Sequence, residues 1–142
     1  MSAGCTFCDV VAGRRPAHVV LADDVVMAFL DHSPLFAGHT LVVPRMHVDD
    51  LSDLDPDAVG PFFDRVRRIA SALPGALGAQ GTFVAMNNVV SQSVPHLHVH
   101  VVPRTKGDGL RGFFWPRRRY ADGEAAATAA LIRASLHEFD AL

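Results

Sequence analysis

Residues 96–102 read His-Leu-His-Val-His-Val-Val. Polar and apolar side chains alternate with a period of two, and only a strand sorts such a pattern onto two faces. The segment is therefore expected to be a strand from His96 to Val102, ended by Pro103. Leu97, Val99 and Val101 would face a core. His96, His98 and His100 would share the other face, each about 7 Å from the next at ~3.3 Å rise per residue. A half-buried strand with a polar outer face is the plain alternative. At the chain's own histidine frequency, three histidines in three chosen places arise by chance about two times in ten thousand, so the face is read as functional.

Two chemistries suit such a face. One is a three-histidine metal site, as in catalytic zinc enzymes. The other is nucleophilic attack on phosphorus by one imidazole, with its neighbours holding the phosphate. The outer two histidines would lie about 13 Å apart at the backbone, which weighs against one ion bound by all three.

The rest of the chain frames this strand. Its 142 residues are the size of one domain. No apolar run approaches the ~18 residues of a membrane span, and residues 1–13 lack a signal-peptide core, so a cytoplasmic protein is expected. The net charge of -2 excludes a general basic field for nucleic acid, so any anion must be held locally. Val19–Leu21 and Val25–Leu30 around Ala22-Asp23-Asp24 predict a hairpin. Thr40–Val43, closed by Pro44, predicts a strand. Asp55, Pro56 and Asp57 open a helix whose stripe is Val59, Phe62, Phe63, Val66, Ile69, Ala70 and Leu73, with Pro74-Gly75 as its stop. Thr82–Met86 predicts another strand. Asp122 is expected to cap a last, alanine-rich helix reaching about Phe139. The order is β-β-β-α-β-β-α, an α+β class with a mainly antiparallel sheet.

Cys5 and Cys8 are the only cysteines. Their spacing suits half of a zinc site, which wants two more ligands. A redox pair and two simple thiols are the other readings. The redox reading lacks, in the sequence, a helix start that would lower a thiol pKa. His39 is expected to be a hydrogen-bonded structural histidine, His18 and His137 surface residues. Arg117–Arg119 reads as a solvated face, with a phosphate contact as the sharper alternative, and with Phe113–Trp115 it could cover the site or a dimer seam.

The heptapeptide resembles the His-φ-His-φ-His-φ-φ signature of the histidine triad (HIT) superfamily. Gln92-Ser93-Val94, Phe29-Leu30-Asp31 with Ser33-Pro34, Gly38 to Pro44, His47 and the Cys5-Thr6-Phe7-Cys8 opening match as well. The likeness covers residues 5 to about 104 and is most similar to the HINT-like branch, in its bacterial zinc-containing form. It implies a HIT-like α+β fold, a mainly antiparallel sheet with one long central helix and a C-terminal helix, in a single HIT domain over 1–142 whose core is about 5–104 and whose C-terminal loop and helix are 105–142.

The resemblance also implies a reaction. HINT-like proteins cleave purine nucleoside 5'-phosphoramidates at the α-phosphorus, and the middle histidine, His98, would be the nucleophile. His100 would contact the phosphate, and Ser93 or His100 would donate to the leaving group, with His96 completing the triad. Gln92 and Asn88 would flank the phosphate. Asp31 would accept the ribose hydroxyls, although a turn aspartate before Ser33-Pro34 is the structural alternative. Phe29, Leu21 and Val20 would line the base pocket or simply pack in the core. Zinc would be structural, held by Cys5, Cys8, His47 and His96, and no metal would be needed for catalysis. A homodimer with joined sheets is implied. The alternatives are a dinucleoside polyphosphate hydrolase of the same superfamily, a zinc hydrolase using the triad, and a nucleotide-binding protein with incidental catalysis. Many members carry a longer glycine-containing loop where this chain has Val89-Val90-Ser91, which leaves Asn87 and Asn88 competing for one role.

Overall fold

The computed structural model describes residues 4–110 and 117–140. The chain divides into two compact units, Met1–Asp108 and Gly109–Leu142. The first holds helix α1 (Thr6–Val11), strands β1 (Val19–Ala22), β2 (Val26–Leu30) and β3 (Thr40–Pro44), a 3-10 turn (Leu51–Asp53), helix α2 (Pro56–Leu77), and strands β4 (Gly81–Ala85) and β5 (Val99–Arg104). The second holds helix α3 (Glu124–Asp140). The five strands form one antiparallel sheet in the order β1-β2-β3-β5-β4. The α+β class expected from the sequence is the class of the fold.

Strand alternation divides the core in two. Val26, Ala28, Val42, Val99 and Val101 face Phe62, Val66 and Ile69 of α2. Phe29, Leu41 and Val43 face Phe7, Cys8 and Val10 of α1. Because β3 is covered on both faces, all five of its residues are buried. That accounts for its unbroken apolar run. Among the described residues, no helix is long and apolar enough to cross a membrane.

The hairpin forms at Asp23, whose Oδ1 accepts the N–H groups of Val25 and Val26 at 2.8 and 2.9 Å. Arg65 of α2 donates to its Oδ2 at 3.0 Å and ties the turn to the helix. The Val26 and Val25 amides, with the Arg65 guanidinium, lower the Asp23 pKa to about 2.

Helix α2 begins as expected, with Asp55 Oδ1 accepting from Asp57 N–H at 2.8 Å. It does not stop at Pro74-Gly75 but runs to Leu77 and closes on Gly78, at φ 69°. A proline in the last turn forfeits only its own N–H donor, and the Pro74 carbonyl still accepts from Gly78 and Ala79.

Two further boundaries move. Strand β5 begins at Val99, not His96, because Leu97 N–H bonds to the Val48 carbonyl instead of to β3. It continues through Pro103, which pairs only with β4 and so needs no donor on its other edge. Helix α3 starts at Glu124, after Gly123, so Asp122 is not the residue that precedes it; the Glu124 carboxylate instead reaches back to Ala121 N–H at 3.1 Å.

Helix α1 was not expected. Its N-cap is Cys5, whose sulfur accepts from Cys8 N–H at 3.4 Å. The N-cap position carries a cysteine instead of one of the usual oxygen-bearing residues, so the start is hard to see. The i, i+3, i+4 spacing of Phe7, Val10 and Val11 was the available signal. The premise that no helix start accompanies the cysteines is therefore overturned.

Candidate active site and thiol–imidazole centre

The face of the sheet that carries α1 also carries a cavity of about 1040 Å3. Its walls include Phe7 and Val10 of α1, Phe29 of β2 and Asp31 just after it, Leu41 of β3, Ser93, His98 and His100. His98 is only 3% exposed and lies edge-on to Phe7, with ring centroids 5.0 Å apart.

Hydrogen bonds fix the tautomers of His98, His39 and His100. His98 Nδ1–H donates to the His96 carbonyl at 2.8 Å, which leaves Nε2 with a lone pair. Leu35 N–H donates to His39 Nδ1 at 3.0 Å, so the His39 proton is on Nε2. That Nε2–H donates to His100 Nδ1 at 2.9 Å, so the His100 proton is on its Nε2. The two triad rings stand 5.1 Å apart, one with a free lone pair and one with a free N–H. Burial, together with neighbouring His98 and His39, pushes the His100 pKa down to about 4. Burial lowers that of His39 as well, opposed by Asp31.

Asp31 does two jobs. Its Oδ1 accepts from Ser33 N–H at 2.9 Å, which makes the turn, and it also lines the cavity. Oδ2 lies 3.6 Å from His39 Nε2. Asp31, His39 and His100 cluster closely enough to suggest a second metal site. Their hydrogen bonds argue otherwise: the single proton of His39 points at His100, so neither facing nitrogen offers a free lone pair.

The thiol–imidazole centre lies behind the triad. Cys8 Sγ is 3.3 Å from His47 Nδ1 and 3.6 Å from His96 Nδ1, and Cys5 Sγ is 3.5 Å from His96 Nδ1. All four donor atoms fall within 4.8 Å of one another. His96 Nε2–H donates to the Pro44 carbonyl at 2.9 Å and His47 Nε2–H to Asp49 Oδ1 at 2.7 Å. Both Nδ1 lone pairs therefore face the sulfurs. A tetrahedral zinc with ordinary bond lengths spaces sulfur and nitrogen by about 3.6 Å. The donor set, with each ring held by an acceptor on its far nitrogen, fits zinc.

Other expected site residues lie elsewhere. Asn88 Oδ1 accepts from Leu51 N–H at 2.9 Å, and Gln92 Nε2 donates to the Asp49 carbonyl at 2.6 Å. Both side chains bind the segment before α2, and neither lines the cavity. Asn87 Nδ2 donates to the Ser91 carbonyl at 3.3 Å. Leu21 packs with the α2 cluster on the opposite face, and Val20 is half exposed, so neither borders the cavity. Phe29 both packs on Phe7 and lines the wall. His18 is exposed as expected, at the cavity rim. Arg117–Arg119 are exposed in the second unit, and Phe113–Trp115 lie outside the described residues. Sequence reasoning missed Phe7 and Val10, and it gave His39 only a structural role.

The HIT domain profile matches residues 12–107. The chain belongs to the HIT family. A solved HIT protein from Mycobacterium smegmatis, described as zinc-bound, is 38% identical, with a TM-score of 0.72 over 97% of this chain and 96% of its own. An adenylylsulfatase of Arabidopsis thaliana is 30% identical over 93% of this chain and 69% of its own length. An adenosine 5'-monophosphoramidase of Schizosaccharomyces pombe is 29% identical over 79% of this chain and 83% of its own. The family thus includes proteins named as hydrolases of adenosine 5'-phosphate derivatives.

Proposed function

We propose that this HIT protein hydrolyses purine nucleoside 5'-phosphoramidates through a nucleotidyl-histidine intermediate on His98. The observation that carries the reading is the 2.8 Å hydrogen bond from His98 Nδ1 to the His96 carbonyl, which leaves Nε2 unprotonated at the cavity wall. Nε2 attacks the α-phosphorus; a nitrogen–phosphorus bond forms as the bond to the leaving amine breaks. Ser93 or His100 Nε2–H supplies the proton that the amine takes away. Water then displaces His98 and releases the nucleoside monophosphate. His100 Nε2–H also steadies charge on the phosphoryl oxygens, a task suited to a neutral donor whose tautomer His39 fixes. Asp31 takes the ribose hydroxyls, and Phe7, Val10 and Phe29 form the apolar wall against which the base lies.

Zinc held by Cys5, Cys8, His47 and His96 supplies a cross-link between α1, the β3 end and the triad segment. No step of the reaction requires it. The protein would act as a homodimer, which sedimentation of the full chain tests.

The deciding experiment measures turnover of adenosine 5'-phosphoramidate and of diadenosine tetraphosphate by wild type and His98→Asn, with chelator present. Phosphoramidate cleavage by wild type alone is expected. Preference for the tetraphosphate would move the substrate to dinucleoside polyphosphates with the mechanism kept. Equal activity of His98→Asn would overturn the role of His98, and tight nucleotide binding without turnover would make this a binding protein.

A further inference from the structure

The thiol pair has a property that the proposed reaction leaves unused. Cys5 and Cys8 take no part in nucleotidyl transfer, yet they are held together at the start of α1. Both are thiols in the structure. Cys5 is the extended residue ahead of the helix, at φ -83° and ψ 118°, so its side chain is not bound by the packing of a preceding turn. Cys8 lies one turn on, and its amide points back at the Cys5 sulfur at 3.4 Å. A separation of one helical turn brings backbone positions within the ~4.4–6.8 Å that a disulfide spans.

We propose that Cys5 and Cys8 form a reversible oxidation site, at which a hydroperoxide closes the pair to a disulfide and dismantles the four-ligand centre. Both residues are buried, and Cys5, at 7% exposure against none for Cys8, is the nearer to solvent, so the oxidation is assigned to begin there. The Cys5 sulfur attacks one peroxide oxygen; the oxygen–oxygen bond breaks and the alcohol, or water from hydrogen peroxide, departs with a proton. Cys5 is left as a sulfenic acid. The Cys8 sulfur then attacks that sulfur and expels its hydroxyl as a second molecule of water, the proton coming from the Cys8 thiol in metal-free protein and from solvent where zinc holds Cys8 as a thiolate. Two thiols lose two electrons and the peroxide gains them.

The position of the pair gives the oxidation a consequence. A disulfide withdraws both sulfurs from His96 Nδ1, which they face at 3.5 and 3.6 Å, and from His47. A metal bound there keeps only two imidazoles. The same His96 offers its carbonyl to His98 Nδ1. Oxidation therefore loosens the peptide that orients His98, a step that rests on the reading of His98 as nucleophile.

The test uses the full-length protein loaded with zinc and titrated with hydrogen peroxide. Intact mass, thiol count, zinc released to a chromogenic chelator and phosphoramidate turnover are followed together. The expected result is loss of two hydrogens in mass, loss of both thiols and release of the zinc in one step, with turnover falling at least about tenfold. Dithiothreitol with added zinc should restore all four. Cys8→Ser, lacking the second sulfur, should stop at a sulfenic acid trapped by dimedone; the wild-type mass and zinc readings stand even if that variant fails to fold. Retention of both thiols and zinc under excess peroxide would overturn the site, as would passage to irreversible sulfinic acid. A disulfide with zinc release but unchanged turnover would overturn the link to His98. A wild type inactive before oxidation would instead defeat the proposed function, with the thiol and zinc readings still deciding the oxidation site.

Discussion

His39 Nε2 lies 2.9 Å from His100 Nδ1, and the Leu35 amide on the far side of the His39 ring decides which of them holds the proton. One backbone N–H thus sets the tautomer of a triad histidine two residues removed in the hydrogen-bond chain. Replacing His39 by Phe keeps the ring's bulk and removes the donor. His100 would then be free to carry its proton on either nitrogen. We expect kcat to fall about 10- to 100-fold with KM little changed, the loss coming from misdirected general-acid and charge-stabilising work. Steady-state kinetics on the phosphoramidate check it, and a full loss of binding instead of turnover would contradict it.

The depressed pKa of His100 makes a prediction for stability. Its folded value is about 4, below the ordinary value of 6.5. Between those values the unfolded chain binds the proton and the folded one does not. Stability is therefore full above pH 6.5 and declines as pH falls toward 4, with a slope of up to about 1.4 kcal/mol per pH unit for each such group. His39 shifts the same way, because burial disfavours its charged form. Urea unfolding of metal-free protein at pH 7, 6 and 5 should trace this slope, and His100→Asn should make it shallower, leaving the part that His39 and His96 contribute. An equal slope in the variant would exclude His100 as its source.

The turn at Asp31 separates structure from binding. Asp31→Asn preserves an oxygen for the Ser33 amide, which Oδ1 accepts at 2.9 Å. It removes the negative charge that a ribose diol would meet. Thermal stability should hold within about 0.5 kcal/mol, while nucleoside monophosphate affinity should fall about 10-fold or more, as expected for a hydrogen bond to a charged group. Calorimetric titration with AMP reads it, and unaltered affinity would remove Asp31 from the ribose site.

Much of this site was legible because strand periodicity is blunt. Leu97, Val99 and Val101 are fully buried and His98 and His100 face the cavity, as alternation demands. The alternation persists at His96 and His98 although those residues precede the ladder, since extended backbone suffices to keep it. Asp55 and Pro56 were equally plain, being local signals with local causes. What stayed hidden was tertiary. Nothing near Gln92 or Asn88 tells that their amides turn to Asp49 and Leu51, dozens of residues earlier. The left-handed Val89 and Ser91, at φ 68° and 63°, stand where glycine would be the ordinary choice, so the composition of that loop conceals its shape. Helix α1 escaped because a sulfur, not an oxygen, caps it. The role of His39 escaped because its partners come from the Leu35 amide and from β5.

Asp49 supplies the last prediction. Its Oδ1 takes the His47 Nε2–H at 2.7 Å, which holds the opposite nitrogen toward Cys8. Carboxylates in this position raise the basicity of a ligating imidazole and lock its tautomer, and their loss weakens metal binding about 10- to 100-fold. Asp49→Ala should therefore lower zinc affinity by that factor in competition with a chromogenic chelator. Zinc bound to the folded chain alone adds stability in proportion to the logarithm of its occupancy ratio, so the same variant should lose part of the rise in Tm that zinc confers on wild type. In metal-free protein the two chains should melt nearly together, because the Asp49 side chain is 65% exposed and its ion pair with His47 contributes little by itself. A variant that melts early with and without zinc would make Asp49 a general stabiliser instead of the group that aims His47.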